Sequence, residues 1–299
     1  MSTSTPRAEP TVTPEPEAER ERDEPAPAAP EDRHRPADKL EQASAAPPGR
    51  QEPGPDGCGL RFERPGGPLV VVCGLHGGAG TSTLAYALAA QAARESPGGR
   101  VLLCESAAAA GDVASLTAAT SPYSLSELAA EYQARRQPSG FLARCGELSV
   151  IAGAMAPPPS VDHGAIAGVL GAARRRHALT VVDAGTVRAA GTRELLQAAT
   201  HVLWIAVERP GGVERAQRLL ASSLVPALAA RRLLAVRAPR RRQGAGGKWR
   251  DLAEQHCERL VLVPHSPGVN GHDVQLRERR VRGTLTALAG FLTVRDQEG

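Results

Sequence analysis

The chain has 299 residues with 36 Lys+Arg against 32 Asp+Glu, enough for one large α/β domain or two small ones. Three Phe, three Tyr and two Trp are too few for a single-strand stacking platform. No apolar run approaches the ~20 residues of a membrane span.

Residues 1–57 hold 7 basic against 13 acidic side chains, a net of −6, whereas 58–299 carry a net of +10. The first segment is crowded with Pro, Glu and Ala and has few large apolar side chains. It cannot bury enough surface to offset the entropy of ordering, so a disordered arm is expected ahead of a folded domain at 58–299. No apolar stretch follows Met1, so a cytoplasmic protein without a secretory signal is expected.

Within the folded part, strand-sized apolar runs alternate with helical patterns. Strands are predicted at Leu69–Cys73, Val101–Glu105, Leu148–Ala152, Leu179–Asp183, His201–Val207, Leu233–Val236 and Leu260–Val263. Helices are predicted at Ser82–Glu95, Leu125–Arg135, Val161–Arg175, Thr192–Ala199, Gly212–Ala229, Trp249–Cys257 and Arg282–Leu292. Alternation of this kind gives a doubly wound, mostly parallel sheet with helices on both faces. Ligands then sit at the carboxyl ends of the strands. Gly- and Pro-rich connections separate the elements at Ser96–Gly99, Pro157–Ser160 and Arg240–Gly247.

The first strand runs into "HGGAGTST", His76–Thr83. A buried strand, a glycine turn and a helix start place successive backbone N–H groups around an anion without needing a charged side chain. Ser82 stands where a loop hydroxyl would ligate Mg²⁺, and Asp183 closes a later apolar strand where a carboxylate would hold the ion's water shell. The lysine such loops carry is absent: its place is Thr81. A lost charge-assisted contact to the terminal phosphates lowers affinity by about 10- to 100-fold and leaves transition-state charge uncompensated. The whole chain has two lysines, Lys39 and Lys248.

The loop resembles the deviant Walker A motif of the MinD/ParA ATPases, KGGxGK[ST]. His76 falls on their first, dimer-crossing lysine and Thr81 on their second. The resemblance is nearest to the CpaE/TadZ branch, where GGxGxST loops occur. "GDVASLTAATSPYSLSELA" (Gly111–Ala129), "LTVVDAG" (Leu179–Gly185), "LLQAATHVLWIAVERPGGVERAQRLL" (Leu195–Leu220) and "LVLVPHSPGVN" (Leu260–Asn270) are similar to later segments of that superfamily. The likeness covers roughly residues 66–295. It implies a site for ATP with Mg²⁺ built from His76, Gly77, Gly78, Ala79, Gly80, Thr81, Ser82 and Thr83. Ser82 and Asp183 would serve the metal, and Pro264 would pack near the base. The same likeness implies a nucleotide-dependent homodimer.

Departures from that pattern bear on catalysis. Where active members have Asp-x-Asp after the second strand, this chain has Glu105 and Ala107. Asp112 lies nearby, and these two acids, Glu105 and Asp112, are the candidates for a catalytic role. Arg237 stands approximately where an adenine-reading Asn is common. Cation, water-positioning acid and base reader are all altered, so binding with weak or no hydrolysis is expected.

Other residues have plainer readings. His76 is a weak cation at best, and His265 and His272 read as loop residues. Cys58, Cys73, Cys104, Cys145 and Cys257 form no CxxC pair and read as packed thiols. Basic runs at Arg174–His177, Arg240–Arg242 and Arg277–Arg282 would suit DNA or an anionic membrane, or are solvated helix faces. The expected function is therefore an ATP-binding localisation or assembly factor for a secretion, pilus or conjugation machine, recruited to the inner face of the membrane. The alternatives are a nucleotide-free scaffold and a ParA-type partition ATPase on DNA.

Overall fold

The computed structural model describes residues 66–96, 100–106, 112–119, 121–134, 142–153, 163–189, 191–222, 229–237, 246–264 and 279–293. The expected acidic arm, Ala107, His265, His272 and Arg240–Arg242 lie outside the described residues.

Eight strands form one sheet: β1 (Leu69–Gly74), β2 (Val101–Glu105), β3 (Ala143–Cys145), β4 (Leu148–Ile151), β5 (Leu179–Thr186), β6 (His201–Val207), β7 (Arg231–Arg237) and β8 (Arg259–Val263). Their order is β3-β4-β2-β5-β1-β6-β7-β8. All neighbours pair parallel except β3 with β4. The sheet is therefore doubly wound and mostly parallel, as the alternating pattern predicts. The chain order reverses at β1, so its carboxyl end opens between β5 and β6.

Alternation along the strands sorts side chains onto two faces. Val70 and Val72 pack with Leu88, Leu103, Leu203 and Ile205 beneath α1 (Thr81–Glu95) and α8 (Arg279–Thr293). Leu69, Val71 and Cys73 face the other way, with Trp204 and Trp249. That second layer is covered by α3 (Leu125–Gln133), α4 (His163–Arg176), α5 (Thr192–Ala198), α6 (Gly212–Leu220) and α7 (Gly246–His256). Burial on both faces is why the strands read as unbroken apolar runs.

Two elements escape the sequence pattern: the six-residue helix α2 (Asp112–Thr117) and β3. The latter pairs antiparallel with β4 through a two-residue turn whose Gly146 takes φ +58°. Helix α6 ends at Leu220, short of the expected Ala229. There Ser222 turns its backbone N–H and its hydroxyl onto the Leu219 carbonyl, a local bond that competes with helix continuation. Among the described residues no helix is long and apolar enough to cross a membrane.

Candidate nucleotide site

The site begins at the last residue of β1. Gly74 is flanked on one side by β5 and on the other by β6, and the backbone ties it to both. Leu75 donates its N–H to the Ile205 carbonyl at 2.9 Å, and Val187 donates to the Gly74 carbonyl at 3.0 Å. A side chain at 74 would lie 2.5 Å from Thr81 Oγ1 and 3.2 Å from the carbonyl oxygens of both Gly185 and His76. A residue with a Cβ does not fit, which is why the apolar run ends in glycine.

From there the chain lifts into solvent and returns. Gly77 and Gly78 are exposed, with open space where their side chains would be. Ala79 drops its methyl into the core at 1 % exposure and pins the loop to the sheet. Gly80 then starts α1 in the left-handed region at φ +86°, with no side-chain cap and no acidic residue in the first turn. Leu84 is the first residue to close a helical bond, donating to the Gly80 carbonyl at 2.9 Å. Among the described residues, the N–H groups of Gly77 through Thr83 have no acceptor. Seven such donors at a helix N-terminus form a positively polarised cradle.

The two hydroxyl residues behave differently. Ser82 is half-exposed and its hydroxyl has no protein partner among the described residues. Thr81 is buried, and its Oγ1 is turned down onto Gly74. At the position where a lysine would extend toward phosphate, this chain therefore has a side chain that packs under the loop.

Asp183 lies in β5, in register with Val72 of β1, fully buried. Its Oδ1 accepts from the Gly185 N–H at 3.0 Å. Burial and the neighbouring Asp183 charge push the Cys73 thiol well above its ordinary range, and burial alone pushes Cys104 up to about 12. Both thiols are inert, as their reading as packed apolar groups requires.

The remaining candidates are distributed around this centre. Glu105 ends β2 beside Asp183, but its Oε2 is taken by the Gly153 N–H at 2.6 Å, on the side away from the loop. Asp112 opens α2. The His76 ring folds back on its own molecule: Nδ1 lies 2.9 Å from the Gly77 carbonyl, and Val207 donates its N–H to Nε2 at 3.4 Å. A carbonyl only accepts and an N–H only donates, so the pair selects the neutral Nδ1–H tautomer.

Pro264 follows β8, three strands from β1, and lines a groove of about 610 Å³ between β8 and α8. Arg237, expected near a base, instead lays its guanidinium on the loop. A side chain at Gly80 would collide with its Nη1, and Nη1 donates to the Ala79 carbonyl at 3.0 Å. The loop, Ser82, Asp183, His76 and Arg237 thus surround one end of β1, while Glu105 lies one strand beyond Asp183 and Pro264 three strands from β1.

Gly74 and the reach of Arg237 were missed by sequence reading. For Gly74 a signal existed, a glycine closing an apolar run just before the loop. Of the basic runs, Arg174 is committed to the Gly67 carbonyl at 2.9 Å, and Arg280 and Arg282 are exposed on α8.

The oxygen donors Ser82 and Asp183 are the hard ligands that Mg²⁺ takes, and the loop offers N–H groups to phosphate oxygens. The residues present fit a magnesium nucleotide.

No family model and no curated protein matches the sequence. Solved structures do. A ParA family ATPase from Chlorobium tepidum TLS superposes with a TM-score of 0.62 at 14% identity, over 74% of this chain and 98% of that one. The MinC:MinD cell division protein complex of Aquifex aeolicus gives 0.59 at 16% identity, over 75% and 96%. A putative plasmid partition protein from Borrelia burgdorferi B31, bound to AMPPNP, gives 0.59 at 14% identity, over 76% and 98%. The chain has the fold of the ParA and MinD ATPases.

Proposed function

We propose that this protein binds ATP with Mg²⁺ at the His76–Thr83 loop and hydrolyses it slowly or not at all. It would serve as a CpaE/TadZ-type localisation or assembly factor for a secretion, pilus or conjugation machine. One observation carries the reading: among the described residues the N–H groups of Gly77–Thr83 have no acceptors around an open loop, while the Thr81 side chain is turned beneath it. Backbone donors suffice to hold phosphate. Hydrolysis needs charge placed where it develops in the transition state, and a buried neutral hydroxyl does not supply it. Glu105 already spends its Oε2 on the Gly153 N–H. A nucleotide-dependent homodimer is part of the same proposal, as is recruitment from the cytoplasm to the membrane's inner face.

Isothermal titration of the full chain with ATP and Mg²⁺ tests the binding claim. Saturable heat is expected, abolished by Gly78→Asp. That substitution puts a carboxylate into the cradle at an exposed position with room for it. An aspartate also tolerates the left-handed conformation better than most residues. Absence of heat at millimolar ATP, or equal heat from the variant, would overturn the proposal. Turnover comparable to that of ordinary P-loop ATPases would overturn its second half.

A further inference from the structure

Thr81 leaves the loop without the cation a lysine at this position would supply, and among the described residues no lysine stands in. Lys248, on α7, faces Glu214 at 3.8 Å. His76 is committed in its neutral tautomer to Gly77 and Val207. Yet one full positive charge does lie on the loop. Arg237 is the last residue of β7, paired with Val207 of β6, and β6 in turn pairs with β1. Its side chain crosses β6 to reach the start of α1, bridging two strand spacings of about 5 Å each. A side chain as short as asparagine at 237 would fall well short.

Gly80 makes the approach possible. Its left-handed φ of +86° already favours glycine, and the Arg237 guanidinium occupies the place where a Cβ would be, with Cζ 2.9 Å from it. The bond from Nη1 to the Ala79 carbonyl fixes the group there, on a residue anchored in the core. Among the described residues it is the guanidinium's single hydrogen bond, and no carboxylate there pairs with it. Taken by itself this is an electrostatically poor arrangement. A cation sits at the positive end of a helix, beside seven N–H groups that also seek negative charge. An anion in the cradle reverses the sign of every one of these interactions.

We infer that Arg237 supplies, from β7, the phosphate-side charge that Thr81 does not supply from α1. The ligand of the cradle is then a highly charged polyphosphate, held by backbone donors below and a guanidinium fork above. The inference rests on the phosphate-cradle reading given under Proposed function. A guanidinium carries five N–H donors in a fixed plane, so one can stay on Ala79 while others take phosphate oxygens. The single arginine would serve both to stiffen the loop and to bind its ligand.

The test is binding of ATP with Mg²⁺ and, separately, of inorganic tripolyphosphate to the full chain and two variants. Arg237→Gln keeps an N–H donor near Ala79 but drops the charge; Arg237→Lys keeps the charge. The Gln variant is expected to bind both ligands about 10- to 100-fold more weakly, with a shallower dependence on salt. The Lys variant keeps the charge but loses the planar fork, so its affinity is expected to fall between those of the natural protein and the Gln variant. Arg237→Met replaces the Gln variant should thermal melting show that the latter has not folded.

Equal or tighter binding by the neutral variant would overturn the inference and leave the cradle reading standing. Tripolyphosphate binding that depends on Arg237, with no preference for ATP, would support the inference and overturn the nucleotide reading. If the natural protein binds neither ligand, both fall.

Discussion

The two flanks of β1 are built from opposite charges and fixed by opposite means. On the β5 side, Asp183 and Glu105 are fully buried, and each accepts a backbone N–H from within the sheet layer, from Gly185 and Gly153. On the β6 and β7 side, His76 and Arg237 are half-exposed and donate to carbonyls of the loop itself, those of Gly77 and Ala79. The acids belong to the sheet and the bases to the loop. Removing a buried acid leaves a desolvated N–H with no acceptor, which costs about 1–3 kcal/mol of stability. Removing a surface base costs the fold little, because water takes over its hydrogen bonds. Its loss is felt by a ligand instead. The acid flank is a fixed part of the scaffold, and the basic flank is where binding is tuned.

Gly74 lies where the two flanks meet, and a methyl there should break the arrangement most severely. It would press on Thr81 Oγ1 at 2.5 Å and on the carbonyls of Gly185 and His76, one from each flank. Gly74→Ala is expected to lower stability by about 1–3 kcal/mol in urea unfolding. Thr81→Ala in the same chain should recover part of that, since the nearest atom is then gone. A Gly74→Ala protein as stable as the natural one would show that the loop does not pack on β1 as described.

A smaller effect should separate the flanks chemically. Asp183→Asn retains an oxygen for the Gly185 N–H, so the local fold is expected to survive. What changes is the charge available to Mg²⁺. The natural protein should lose about tenfold in ATP affinity when Mg²⁺ is chelated, roughly one charge-assisted contact. Asp183→Asn should bind equally with and without the ion. If the variant keeps its Mg²⁺ dependence, the acid flank is structural only.

How much of this could be read from the sequence follows the same division. Strands buried on both faces announce themselves as apolar runs, so β1, β2 and β6 were legible almost to the residue, whereas β5 runs three residues past Asp183 to Thr186, so the carboxylate read as closing that strand lies within it. The hairpin strand β3 has three residues, one of them an exposed arginine, and carries no periodicity to detect. Its one clue was Gly146, a turn residue between Cys145 and Glu147. The presence of Thr81 where a lysine belongs was legible, but not the inward turn of its hydroxyl, which depends on Gly74 being bare. Arg237 could be placed at a strand end, yet its destination required knowing that β6 alone separates β7 from β1. Side chains that act across strands depend on strand order, and strand order is not a local property of the sequence.

The smallest effect is expected at His76, and its smallness is informative. The resemblance of the loop puts at this position a lysine expected to cross to a dimer partner, but here the ring is bonded to its own Gly77 and Val207. One of those bonds is exposed and the other is long at 3.4 Å, so water replaces both at little cost. His76→Ala should change stability by less than about 1 kcal/mol and ATP affinity by less than about threefold. Nucleotide-dependent self-association, followed by sedimentation, should persist in the variant. Were it lost while binding stayed intact, the ring must leave Val207 and reach the partner when the dimer forms. In that case the basic flank would contain two tuned groups, Arg237 toward the molecule's own ligand and His76 toward its neighbour's.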